Sequence, residues 1–155
     1  MDLVTSNLVQ TFKTEEGFDD ATKPDVLFEH FANFCVLSHE YTDEFDLDDI
    51  HTGGGDDLGI DGIAVIVNGA LVTSEEEIDD LAEANKFIKA EFILCQAKSS
   101  SNFDGKEISN FYFGAKDLFA GAEAILPRNA KVKLSEKLVA KVYSKSSIFK
   151  RGNPS

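Results

Sequence analysis

The run Ile60 to Val67 constrains this chain more than any other feature. Five of its eight residues are β-branched and apolar (Ile60, Ile63, Val65, Ile66 and Val67), and Asn68-Gly69 closes it. Asn-Gly between apolar segments is the strongest short signal for a tight β-hairpin, because both turn positions need positive φ. A strand apolar on both alternating faces has to be covered on both sides, so helices must flank it. Ala70 to Val72 is the returning strand and Phe87 to Ala97 a further one.

The helical segments supply that cover. Residues 2–16 repeat Val4, Leu8 and Phe12, with Gly17 placed to end the helix. Pro24 suits the first turn of a second helix running to about Glu40, whose broad apolar face carries Leu27, Phe28, Phe31, Ala32, Phe34 and Cys35. Ser74-Glu75-Glu76-Glu77 fits a capping box and opens a polar helix with Ile78, Leu81 and Ala82 inward. Asp104-Gly105-Lys106-Glu107 opens a third core helix through Ile108, Phe111, Tyr112, Ala115, Leu118 and Phe119. A last helix spans about Asn129 to Ser144, with Leu134, Leu138, Val139 and Val142 apolar. The order argues for an α/β fold with a mixed β-sheet flanked by helices. The 155 residues fit one domain: an N-terminal helix and loop (1–23), a core (24–120) and a C-terminal helix (121–155).

Charge limits the partners. Fifteen basic residues against 28 acidic ones leave a formal charge of −13. Such a chain repels polyphosphate unless a cation intervenes or its bases are gathered, and Lys131 to Arg151 holds most of the clustered ones. No apolar run reaches a membrane span, so no membrane partner is expected. Cys35 and Cys95, 60 residues apart, form no disulfide framework and read as small core residues in a cytoplasmic protein. His30, His39 and His51 have no cysteine at ligand spacing, which argues against zinc, and His30 reads as a satisfied or exposed surface residue. Gly53-Gly54-Gly55 lacks the Gly-Lys-Ser/Thr of a phosphate loop. The seven acids between Tyr41 and Gly59 lack the EF-hand register.

Three pieces carry chemistry. Asp61, in Gly59-Ile60-Asp61-Gly62, puts a carboxylate at the mouth of an apolar strand. That is costly unless a hydrogen bond or a metal compensates it, and a turn-forming aspartate between glycines is the simpler reading. Gln96-Ala97-Lys98 ends the strand Phe92-Ile93-Leu94-Cys95, with Gln96 and Lys98 on the Leu94 face; taken alone, a strand emerging into solvent is the plainer reading. Glu29 follows Phe28 at the border of the second helix's apolar face, where an ordinary flanking charge is also expected. Together they are what metal-assisted phosphodiester cleavage needs: hard oxygens for magnesium and a lysine for developing negative charge. Asp56 and Asp57 are candidate helpers, with loop capping the plainer role.

Phe28-Glu29, Gly59-Ile60-Asp61-Gly62 and Gln96-Ala97-Lys98 resemble the three-part signature of PD-(D/E)xK nucleases, the glutamine being similar to the Mrr-like branch. The stretch Gly55 to Ala64, with Val67-Asn68-Gly69, Gln96-Ala97-Lys98-Ser99 and Phe103, more closely resembles the N-terminal part of the abortive-infection phage-resistance (AIPR) proteins of bacteria. The resemblance covers roughly residues 25–120. It implies a restriction-endonuclease-like fold, a role in phage defence and Mg²⁺ or Mn²⁺ as cofactor, and it implies that the chain is the N-terminal portion of a longer protein. Asp61 would be the principal metal ligand, with Gln96 ligating through its side-chain oxygen and Ala97 through its carbonyl. Glu29 would bind the ion directly or through water, and Lys98 would be the catalytic lysine. Gln96 stands where many relatives place a second acid, which leaves the site one charge short and makes Glu29 more important. The implied substrate is nucleic acid, DNA favoured, with regions beyond this chain supplying grip and room for a homodimer. The alternative is a non-catalytic nuclease-fold module that binds or senses a partner.

Overall fold

The computed structural model describes residues 1–100, 104–151 and 154–155; Phe103, and the ends of the Ser99–Ser101 and Lys150–Ser155 stretches at Ser101 and Gly152-Asn153, lie outside them. Helix α1 is Leu3–Glu15, α2 Pro24–Glu40 and α3 the single turn Leu47–Ile50. Strands β1 (Gly62–Val67) and β2 (Ala70–Leu71) precede α4 (Glu75–Asn85), β3 (Ala90–Cys95), α5 (Gly105–Leu118) and α6 (Ala130–Ser144). Among the described residues none of these helices is long and apolar enough to cross a membrane.

The sheet order is β2-β1-β3, so the apolar run forms the central strand. All six β1 positions are buried. Both of its pairings are antiparallel; a parallel bridge joins Ile88 to Phe149 outside the named strands. The architecture is therefore α/β as expected, with helices around a small, antiparallel sheet. Asn68 (φ 51°) and Gly69 (φ 86°) make the hairpin turn, and Val67 pairs with Ala70 across it.

Alternation along β1 divides the core. Ala64 and Ile66 face α1, α2 and α3, where they meet Val9, Phe12, Leu27, Leu37 and Ile50. Val65 and Val67 face the other way, onto Ile78 and Ala82 of α4 and Leu138 and Val142 of α6. Ile63 joins Leu58, Ile60, Leu118 and Val132 in a third cluster beneath the strand's entrance. First and last helices thus cover opposite faces of one sheet.

Local signals held where they were backbone chemistry. Pro24 occupies the first turn of α2. Asp104 accepts the Lys106 and Glu107 N–H groups and makes a reciprocal capping box with Glu107. At α4 the box is altered: Ser74 caps Glu77 N–H, but the Glu77 carboxylate accepts from Thr73 N–H, one residue earlier (2.8 Å).

Several burial expectations are corrected. In α1 the buried stripe is Val9 and Phe12, while Val4 and Leu8 are exposed, because the helix packs on α2 along one narrow seam. Cys35 is exposed, not core, while His30 is buried, not on the surface. Both follow from the rotation of α2, which buries Leu27, His30, Asn33 and Leu37 and leaves its phenylalanines only half-buried. Leu134 in α6 is exposed. So are Ile108, Tyr112 and Phe119 of the expected core face of α5; Leu118 is buried as expected, and beside it the helix buries Gly114 and Asp117.

Candidate functional site

Asp61 sits just ahead of β1, where three segments converge on it. Its N–H donates to the Cys95 carbonyl of β3 (2.8 Å). Its own carbonyl accepts from Asn33 Nδ2 of α2 (2.9 Å) and from the Thr52 N–H (3.3 Å). Gly62 makes this approach possible, since a Cβ there would lie 2.2 Å from Asn33 Oδ1. The register pairs Gly62 with Cys95 and so stands Asp61 across from Gln96. Its carboxylate Oδ2 accepts the Ala97 N–H at 2.6 Å. The second and third sequence pieces are therefore neighbours through backbone pairing.

The Asp61 carboxyl is half-buried, and its pKa is pushed up to about 6 from 3.8. Burial is the main cause; the Ala97 N–H opposes it, the Glu29 and Asp57 charges add to the rise, and His51 offsets part of it. Glu29 is thus within electrostatic reach of Asp61 although it lies on α2. Asp57 takes the loop-capping role, its Oδ1 accepting the Gly59 N–H (2.8 Å), and its charge adds to the rise at Asp61.

His51 is the site residue sequence reasoning missed. The segment after α3 runs along the free edge of β1, with His51 bridged to Gly62. This brings His51 Nε2 to 2.8 Å from Glu29 Oε2, both side chains being mostly buried. The His51 ring lies over Gly53, where a Cβ would come within 2.3 Å of it, and packs tilted by 36° against the buried His30 ring, 4.1 Å between centroids. Among the described residues His30 Nδ1 has no hydrogen-bond partner, and burial first and His51 second press the His30 pKa down. Nothing in local spacing announces a partner 22 residues from Glu29. The one available signal was the glycine triplet, which lets the loop fold back. Asn129, the N-cap of α6, anchors that loop by reaching the carbonyls of Thr52 (2.9 Å), Gly53 (3.1 Å) and Gly55 (2.9 Å).

Gln96 donates its amide N–H to the Gly59 carbonyl (3.2 Å), which leaves Oε1 as the end open to a cation. The largely buried Lys98 ammonium is ion-paired with the Glu107 carboxylate, the residue that also completes the cap of α5. Glu107, like His51, comes from a segment outside the three motifs.

Among the described residues no three His, Cys, Asp or Glu groups cluster as a metal centre, so a zinc-type cage is absent there. The oxygen set of Asp61, Glu29, Gln96 and Ala97 is of another kind. Magnesium is commonly held by one or two carboxylates and keeps several waters. A carboxyl whose proton affinity is raised first by burial and then by neighbouring carboxylates is one that a divalent cation would relieve, so the chemistry of this donor set fits Mg²⁺ or Mn²⁺. No family model matches this chain, nor does any curated protein or solved structure.

Proposed function

We propose that the chain is a divalent-metal-dependent phosphodiester hydrolase domain acting on nucleic acid, DNA favoured, in phage defence, as its resemblance to AIPR and PD-(D/E)xK nucleases implies. One observation carries this reading: the Asp61 carboxylate, its pKa raised to about 6, lies against Gln96-Ala97 on the next strand with Glu29 in reach. Asp61 and Glu29 would hold the ion, helped by Gln96 Oε1 and the Ala97 carbonyl. When bound, it supplies charge neutralisation at the phosphate and a more acidic water.

The chain's own residues do the rest. The Ala97 N–H fixes one oxygen of Asp61 and so aims the other. His51 fixes Glu29 in the same way. Glu107 holds the Lys98 ammonium just past the end of β3, from which it can face charge developing on a scissile phosphate. Two free cysteines suit a cytoplasmic setting.

Plasmid nicking in Mg²⁺ tests the reading. Lys98→Ala is expected to slow nicking about a hundredfold, as for loss of one charge-stabilising donor, while calorimetric Mn²⁺ affinity stays as in the wild type. Equal nicking rates would remove the lysine from the mechanism. His51→Ala is expected to weaken Mn²⁺ binding about tenfold, and His51→Gln, which retains an N–H donor, to restore most of it. If both variants bind like the wild type, Glu29 needs no positioning.

A second reading, a nuclease-fold module that binds without cutting, is favoured by the Lys98–Glu107 pair, which already satisfies the cation the reaction needs. A wild type that binds Mn²⁺ but never nicks plasmid decides for it.

A further inference from the structure

The sequence marks α5 as a core helix, yet its outer face is bare. Tyr112 is 64% and Phe113 60% exposed, and beyond the helix Ile125 is 86% and Leu126 38% exposed. Two hollows open here. One, of about 480 Å³, is lined by Leu58, Asn110, Phe113, Leu126 and Pro127, with Asp56 and Asp57 at its edge. The other, of about 350 Å³, is lined by Phe113, Ala120, Ile125 and Leu126, with Lys116 and Glu123 at its edge. They share Phe113 and Leu126 and so form one trough, with Asp56 and Asp57 at one end and Lys116 and Glu123 at the other. Asp117, which also borders it, is taken by Arg128.

An apolar floor with two acids at one end, and a Lys116/Glu123 pair of opposite charges at the other, selects its occupant by charge at the Asp56/Asp57 end. Nucleic acid would set phosphates against these acids on a chain of formal charge −13. A second copy would bring the same acids and the same net charge. We propose that the trough docks a cationic amphipathic protein segment. A large apolar side chain of the partner sits between Phe113 and Leu126, and flanking Lys or Arg residues meet Asp56 and Asp57. The trough borders the proposed metal site at Asp57, whose charge raises the Asp61 pKa, but docking there needs no metal ion.

The test is fluorescence anisotropy with the full chain and a labelled synthetic amphipathic helix of leucine and lysine, its leucine–glutamate counterpart serving as control. The cationic peptide should bind and the anionic one should not. Phe113→Ser and Ile125→Ser, both at exposed positions, should each weaken binding about tenfold with an unchanged circular dichroism melt. Asp56→Asn with Asp57→Asn should weaken it further and flatten its salt dependence; asparagine keeps the positive φ of Asp56 and the Asp57 cap on Gly59. Equal binding by the wild type and Phe113→Ser overturns the proposal. So does concentration-dependent dimerisation in ultracentrifugation that Phe113→Ser abolishes, or Phe113-dependent binding of a single-stranded oligonucleotide.

Discussion

Asp61→Asn is expected to keep the fold, gain stability at neutral pH and lose metal-dependent cleavage by roughly a thousandfold. The amide is nearly the same shape, and its oxygen still accepts the Ala97 N–H that Asp61 Oδ2 accepts now. What it cannot do is carry charge. Several kcal/mol of metal-based stabilisation would go, at about 1.4 kcal/mol for each tenfold in rate.

The stability gain has a definite sign. The folded Asp61 binds its proton more tightly than the ordinary 3.8, up to about 6, so ionising it costs folding free energy. That cost is absent below the unfolded value, grows as pH rises from about 4 to about 6, and is complete above. It amounts to at most about 3 kcal/mol and to less where water reaches the carboxyl. Urea midpoints of the wild type and Asp61→Asn should therefore coincide near pH 3.5 and separate by pH 8, with the variant the more stable. A variant that is less stable at pH 8 would mean the carboxylate is held by a favourable partner instead. Cleavage by the wild type should fall as pH drops through 6, because protons then compete for the same oxygens.

Gly114→Ala is expected to lower stability by about 3 kcal/mol and the melting temperature by roughly 6–12 °C. A Cβ at Gly114 would stand 1.8 Å from the Leu58 carbonyl oxygen, which is backbone and cannot rotate away. Leu58 already has positive φ (63°), so the turn has little room to yield. The next residue supplies the Gly59 carbonyl that Gln96 grips, so Mn²⁺ affinity should fall together with the melt. An unchanged calorimetric melt would show that α5 can slide outward at little cost.

The readable parts of the molecule were those set within a few residues of chain. The hairpin at Asn68-Gly69, Pro24 in the first turn of α2 and the Asp104–Glu107 box depend on short-range geometry, and each formed as its residues require. Half of the site was readable for the same reason: once β1 and β3 pair in register, Asp61 must meet Ala97. His51 was not, because its contact with Glu29 needs a loop to return along the outer edge of β1. Nor was the Glu107 partner of Lys98, which depends on where α5 starts in space.

Hydrophobic patterning misled in a consistent direction. Val4, Leu8, Ile108, Tyr112 and Leu134 all fit a helical stripe, yet the structure leaves them exposed. Periodicity tells which residues share a face; it does not tell how wide a strip the neighbouring element covers. A small sheet cannot cover the whole apolar face of every helix around it.

Residue order alone was enough to determine the central strand, its turn, the helices that shield it and the placing of an acid where a strand emerges, because these are local conformational preferences and side-chain alternation. Only the packed molecule decided which charges that acid feels and which helix faces stay bare. Both depend on distances between segments remote along the chain, and burial and electrostatic interaction act through space.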